Sequence, residues 1–119
     1  MLVSDVIARA RALLRDTNDQ SYRWPDSQLI GLVSDAQTEL FQRRPEVNSA
    51  FDDVEEDVVV QPIAIVEHLD DELDAGERFA SVLAYHVAAS ALMNDNGDIA
   101  NLKRGQVYLQ LYEKGVMTV

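Results

Sequence analysis

The chain has 119 residues, 47% of them apolar and 26% charged, with no cysteine and with 21 acids against 10 bases for a formal charge of −11. A single domain of this length can bury a core without staples, and the missing thiols exclude disulfides, Cys-ligated zinc, iron–sulfur clusters and thiol catalysis. The negative charge opposes a tight grip on DNA, where lysines and arginines must displace counterions, but it does not oppose close passage of DNA.

In chain order, Val3, Ile7, Ala10, Leu13 and Leu14 recur at helical spacing. They predict a first helix, capped by Ser4 or Asp5, with Arg9, Arg11 and Arg15 on its other face and a stop near Asp16. That segment has neither the basic-then-apolar order of a signal peptide nor an 18-residue apolar run, so the chain is expected to be soluble and intracellular when made. The run DTNDQS is turn chemistry, and Pro25 disfavours helix at Trp24. Asp26 is placed to cap a second helix through Arg43, with Leu29, Leu32, Val33, Ala36, Leu40 and Phe41 as its stripe and Pro45 closing it.

The middle of the chain changes character. Residues 50–77 hold eleven acids and no base, whereas residues 1–49 and 78–119 are within one charge of neutral. Val54, Val58, Val59, Val60, Ile63, Ile65 and Val66 are β-branched and interleave with the acids, which predicts one or two short strands over 54–67, broken or edged at Pro62. Such a long connection between helices reads as an arm or functional loop.

Helical patterning then returns. Phe79, Val82, Leu83, Tyr85, Val87, Ala89, Ala91 and Leu92 predict a third helix, apolar around most of its circumference and therefore central. Asn94 to Asp98 stop and restart the chain, with Gly97 free to take positive φ and Asp98 to cap. Leu102, Val107, Tyr108, Leu111 and Tyr112 predict a fourth helix ending near Gly115, with residues 116–119 as a short apolar tail. The expected fold is mainly α, a four-helix bundle with a short β or extended arm between helices 2 and 3. It forms one domain over 1–119: helical 1–45, acidic arm 46–72, helical 73–115 and tail 116–119.

Catalytic and metal chemistry find little purchase. Aligning Gly97 with the sixth position of a calcium loop puts Leu92 at the first ligand and Lys103 at the twelfth, which excludes that motif. Asp52, Asp53, Glu55, Glu56 and Asp57 form a solvated acidic run with nothing to hold a cation's geometry. His68 reads as a surface residue and His86 as a hydrogen-bonded core or interface histidine. There is no GxSxG elbow, phosphate-cradling glycine loop or HExxH. No enzyme, metal or cofactor is expected. Trp24, Tyr22 and Phe41 read as core anchors, and Tyr108 and Tyr112 share a helix face.

The order of features resembles a known family. ARALLRDTNDQSYRWPDSQLIGLVSDAQTELFQRRPEV, residues 10–47, resembles the opening of tailed-bacteriophage head-to-tail adaptor (head-completion or connector) proteins. It has a helix ending in Leu-Leu-Arg-Asp, an aromatic before a capped helix, and closure by Arg-Arg-Pro. ERFASVLAYHVAASALMNDNGDIANLKRGQVYLQLYEK, residues 77–114, is similar to their later helix pair, with His86 where the family often has arginine.

The resemblance implies a virion protein of the neck, made in the host cytoplasm and assembled as a ring, typically dodecameric. Its partners would be the portal on one side and tail or nozzle proteins on the other, with DNA passing through the channel, no specific nucleic-acid binding and no membrane. On that reading Asp52, Asp53, Glu55, Glu56 and Asp57 face the lumen or rim, where they repel phosphates. Val58, Val59, Val60, Ile63 and Ile65 pair with a neighbour's arm, and Tyr112, Val116, Met117 and Val119 dock on the portal. The competing readings are a small acidic regulator or DNA mimic and another neck or tail-completion protein.

Overall fold

A computed structural model describes residues 1–47, 66–95 and 99–119. Of the strands predicted over 54–67, residues 54–65 lie outside those residues, as do Pro62 and the Gly97–Asp98 turn, and residues 66–67 are not strand. Among the described residues the chain is mainly helical, with four α-helices: α1 (Val3–Leu14), α2 (Asp26–Arg43), α3 (Ala80–Met93) and α4 (Ile99–Thr118). Short 3₁₀ turns follow α2 at Pro45–Val47 and precede α3 at Glu77–Phe79. Leu2 and Glu72 form an isolated antiparallel bridge.

α1 buries Val3, Val6, Ile7, Ala10 and Leu14, the spacing of one helical face. Its cap differs from the expectation. Leu2 is the N-cap, and Asp5, one turn in, accepts from the Leu2 N–H at 2.8 Å. The next donors, Val3 N–H and Ser4 N–H, go to the carbonyls of Asp71 at 3.0 Å and Leu69 at 2.9 Å. The later part of the acidic stretch therefore satisfies amides that a helix start leaves open. At the other end Arg15 takes φ 57°, with Arg15 N–H bonded to Ala12 O and Asp16 N–H to Arg11 O, a Schellman closure without the usual glycine.

Arg11 corrects the assignment of all three arginines to the polar face. It follows Ile7 by four residues and precedes Leu14 by three, and it is buried. Its guanidinium donates to Asp16 at 2.8 Å and Asp26 at 2.7 Å and lies 3.5 Å from the Tyr22 ring centroid. Asp16 in turn accepts from Arg23 N–H at 2.9 Å and Trp24 N–H at 3.1 Å. This ion-paired corner turns the chain from α1 into α2. Trp24 and Phe41 are core as expected, whereas Tyr22 covers Arg11 from the solvent side at 37% exposure. α2 begins one residue earlier than a capping Asp26 requires, with Pro25 as its N-cap.

α3 is the hub. Val82, Leu83, Ala84, Val87, Ala88, Ala91 and Leu92 are all buried, as the apolar circumference predicts, and α1, α2 and α4 each pack on it. α4 comes closest. An added Cβ at Gly115 would sit 2.7 Å from Val82 Cγ2, and one at Gly105 would sit 3.2 Å from the Ala89 carbonyl, so glycine permits this spacing. α4 also ties to α1 by hydrogen bonds from Arg104 and Tyr108, both at 3.1 Å, to the Leu13 carbonyl in the last turn of that helix.

Candidate functional site

Val47 and Val66, the described residues on either side of 48–65, are both buried. Asp52, Asp53, Glu55, Glu56, Asp57, Val58, Val59, Val60, Ile63 and Ile65 lie outside the described residues. The segment from Val66 to Ala75 is held by polar side chains of α2. Ser34 Oγ donates to the Val66 carbonyl and accepts from its N–H, both at 3.0 Å, which mimics a ladder pair. Buried Gln37 accepts from Asp74 N–H at 3.0 Å and Ala75 N–H at 3.3 Å. Leu73 and Ala75 are buried, while Glu67, Asp70, Glu72 and Glu77 point to water. The apolar residues anchor this stretch and its charge stays solvated. Asp71 accepts from the N–H groups of Glu67 and His68, which holds its carboxyl below the usual range.

The C-terminal expectation divides. α4 continues through Thr118, past the predicted end near Gly115. Tyr112 and Val116 are core, at 0% and 1% exposure, so they offer no docking surface; Met117 and Val119 are exposed at 76% and 38%. The cause is Arg44, just beyond α2, whose guanidinium donates to the carbonyls of Val116 at 3.1 Å and Val119 at 2.6 Å. A cation on the last carbonyls prolongs a helix that sequence alone ends at glycine. Arg44 also pairs with Glu46 at 2.9 Å and holds that carboxyl below its ordinary value.

His86 sits in the packing between α2, α3 and α4. Its ring meets the Tyr112 ring edge-on at 4.7 Å between centroids, Nε2 is 3.5 Å from Glu39 Oε2, and Nδ1 is 3.5 Å from Ser90 Oγ. Burial pushes the imidazole below its ordinary value, against the opposing pull of Glu39, Asp35 and Glu113. Burial, then the adjacent Glu39 carboxylate, pushes the Tyr112 phenol far up, so it stays protonated. The Tyr112 hydroxyl and Glu39 Oε2 are both enclosed beside this histidine. This is the core or interface histidine that the sequence suggests. His68 is exposed, as expected.

Among the described residues no group of three or more His, Asp or Glu could hold a metal ion, and no helix is long and apolar enough to cross a membrane. Two grooves flank Arg9 between α1 and α3. One, of about 230 Å³, is lined by Ala12, Leu13, Ser81, Ala84 and Tyr85; the other, of about 390 Å³, by Met1, Asp5, Ala8, Glu77 and Ala80. Arg9 donates to Ser81 Oγ at 3.3 Å across them. Compared with protein families, with curated proteins and with solved structures, the chain finds no match.

Proposed function

We propose that this chain is a structural subunit of the head-to-tail junction of a tailed bacteriophage. In this reading it forms a ring under the portal, connects the portal to tail or nozzle proteins, and presents an acidic rim or lumen to passing DNA. The observation that carries the reading is the placement of charge: eleven acids and no base fall between two nearly neutral helical pairs. The half of that stretch within the described residues keeps Glu67, Asp70, Glu72 and Glu77 in water while its apolar residues are anchored on α1 and α2. Neutral helical surfaces suit packing and assembly, and an acidic surface lets phosphates slide by without holding them. Exposed Met117 and Val119 remain as candidates for portal contact.

Electron microscopy of the protein mixed with its cognate portal tests the proposal. A twelve-fold added layer supports it, and persistent monomers without portal binding refute it. Neutralising Asp52, Asp53, Glu55, Glu56 and Asp57 together is expected to slow DNA passage or ejection; an unchanged rate removes the lumen assignment.

A further inference from the structure

α4 packs on α3 along one side and leaves the opposite side open. Ile99, Lys103, Val107, Leu111 and Lys114 fall within about a third of the helix circumference at 100° per residue. Ile99 and Val107 are 73% and 54% exposed and Leu111 is 38% exposed. Lys103 and Lys114 are the only lysines in the chain, three helical turns apart on this one stripe. Both are exposed, and neither forms an ion pair among the described residues. The nearby acid, Glu113, is already paired with Arg43. A chain of charge −11 thus presents a positively charged apolar stripe on α4.

We infer that this α4 stripe docks on the acidic surface around Leu69 of a second copy of the same chain. That surface is its complement. Glu67 and Asp70 are exposed around Leu69, itself 38% exposed, and no base lies anywhere in 50–77, while exposed Glu72 lies 3.5 Å from the Met1 ammonium. Two different patches meet, so the contact is head-to-tail and leaves the pair with one unused patch of each kind, one on each copy, so that further copies add until the rotation closes a ring. The inference rests on reading the chain as a ring subunit and names the surfaces that would join its neighbours.

The stripe is about 23 Å long and about 10 Å wide, well under the roughly 800 Å² per partner of a stable pair. Association of the free protein is therefore weak, and screening weakens it further as the Debye length drops to about 3 Å in 1 M salt.

Sedimentation velocity from about 10 µM to about 1 mM tests the contact at low and high salt. The wild type is expected to associate with rising concentration and to lose that association at high salt. Lys103→Glu/Lys114→Glu abolishes it, as does Glu67→Lys/Asp70→Lys, and the four changes together restore it. All four residues are exposed, and circular dichroism checks that each variant keeps its helices. A wild type that stays monomeric throughout, either reversal leaving association unchanged, or a failure of the combined variant to recover overturns the inference. A normal portal-bound layer built from Lys103→Glu/Lys114→Glu overturns this contact and leaves the adaptor reading standing. Charge-swappable self-association without portal binding does the reverse.

Discussion

Three glycines put the packing of α4 on α3 to a matched test. Gly31, in the exposed middle of α2, has no atom within 4 Å of an added Cβ. Alanine there gains the full difference in helix propensity, about 1 kcal/mol. Gly115 gains the same amount but drives its Cβ to 2.7 Å from Val82 Cγ2. Val82 is buried and β-branched, so its rotamer cannot yield, and overpacking costs about 1–3 kcal/mol. Gly105 lies between these cases. Its closest neighbour, Met93 Cγ at 2.6 Å, belongs to a flexible side chain that is 39% exposed, but the Ala89 carbonyl at 3.2 Å is fixed backbone. The expected order of stability is Gly31→Ala above wild type, Gly105→Ala near it and Gly115→Ala below it by about 1 kcal/mol. The two extremes should differ by about 2 kcal/mol, or roughly 8 °C in Tm for a chain of this length. Urea titrations give the midpoints, with m checked for constancy. If Gly115→Ala stabilises as much as Gly31→Ala, the close approach of α4 to α3 is wrong.

Other consequences are equally direct. Asp16→Ala strips a partner from buried Arg11 and an acceptor from two backbone amides, and should cost about 3 kcal/mol in chemical denaturation; a loss below about 1 kcal/mol would remove the ion-paired corner. Arg15→Gly relieves a left-handed residue whose side chain makes no hydrogen bond or ion pair among the described residues, and should raise stability by about 1 kcal/mol, whereas a loss would mean that the α1 closure is misread. His86 carries a pH signature. Its folded value lies below its unfolded one, so the unfolded state binds the proton first and stability falls as pH drops through about 6.5. His86→Gln should flatten the stability profile between about pH 7 and 5, and an unchanged slope would place the titration elsewhere. Asp71 and Asp95, both held low by hydrogen bonds, lose their stabilising contribution only as pH falls below the ordinary carboxylate range, which separates their effect from that of His86.

The exposure of Met117 beside buried Val116 also changes how portal docking should be probed. Removing residues 116–119 takes out a core side chain together with two carbonyls capped by Arg44, and so confounds folding with docking. Met117→Asp alters the exposed surface alone. Loss of portal binding by a variant with unchanged thermal stability supports a docking role for that position, and retained binding removes it.

Much of the architecture follows from the sequence alone, because the signals are local. The 3.6-residue recurrence of Val3, Ile7, Ala10 and Leu14 marks one buried face, Pro25 and Pro45 bracket α2, and the all-round apolarity of 79–92 makes α3 the hub. The separation of charge from helices is legible in the same way, since it needs only counting. Tertiary structure decides what depends on distant partners. Arg11 is buried because Asp16 and Asp26 converge on it around a corner, and spacing alone does not reveal where a turn will bring two carboxylates. Ser34 and Gln37 look like ordinary polar residues on α2 until a returning segment needs hydrogen bonds for Val66, Asp74 and Ala75. α4 outruns Gly115 because Arg44, more than 70 residues earlier, caps its carbonyls, and that contact turns Val116 from tail into core. Periodicity reports which face of a helix is apolar; only packing says whether that face meets the hub, as at Tyr112, or stays open, as at Val107.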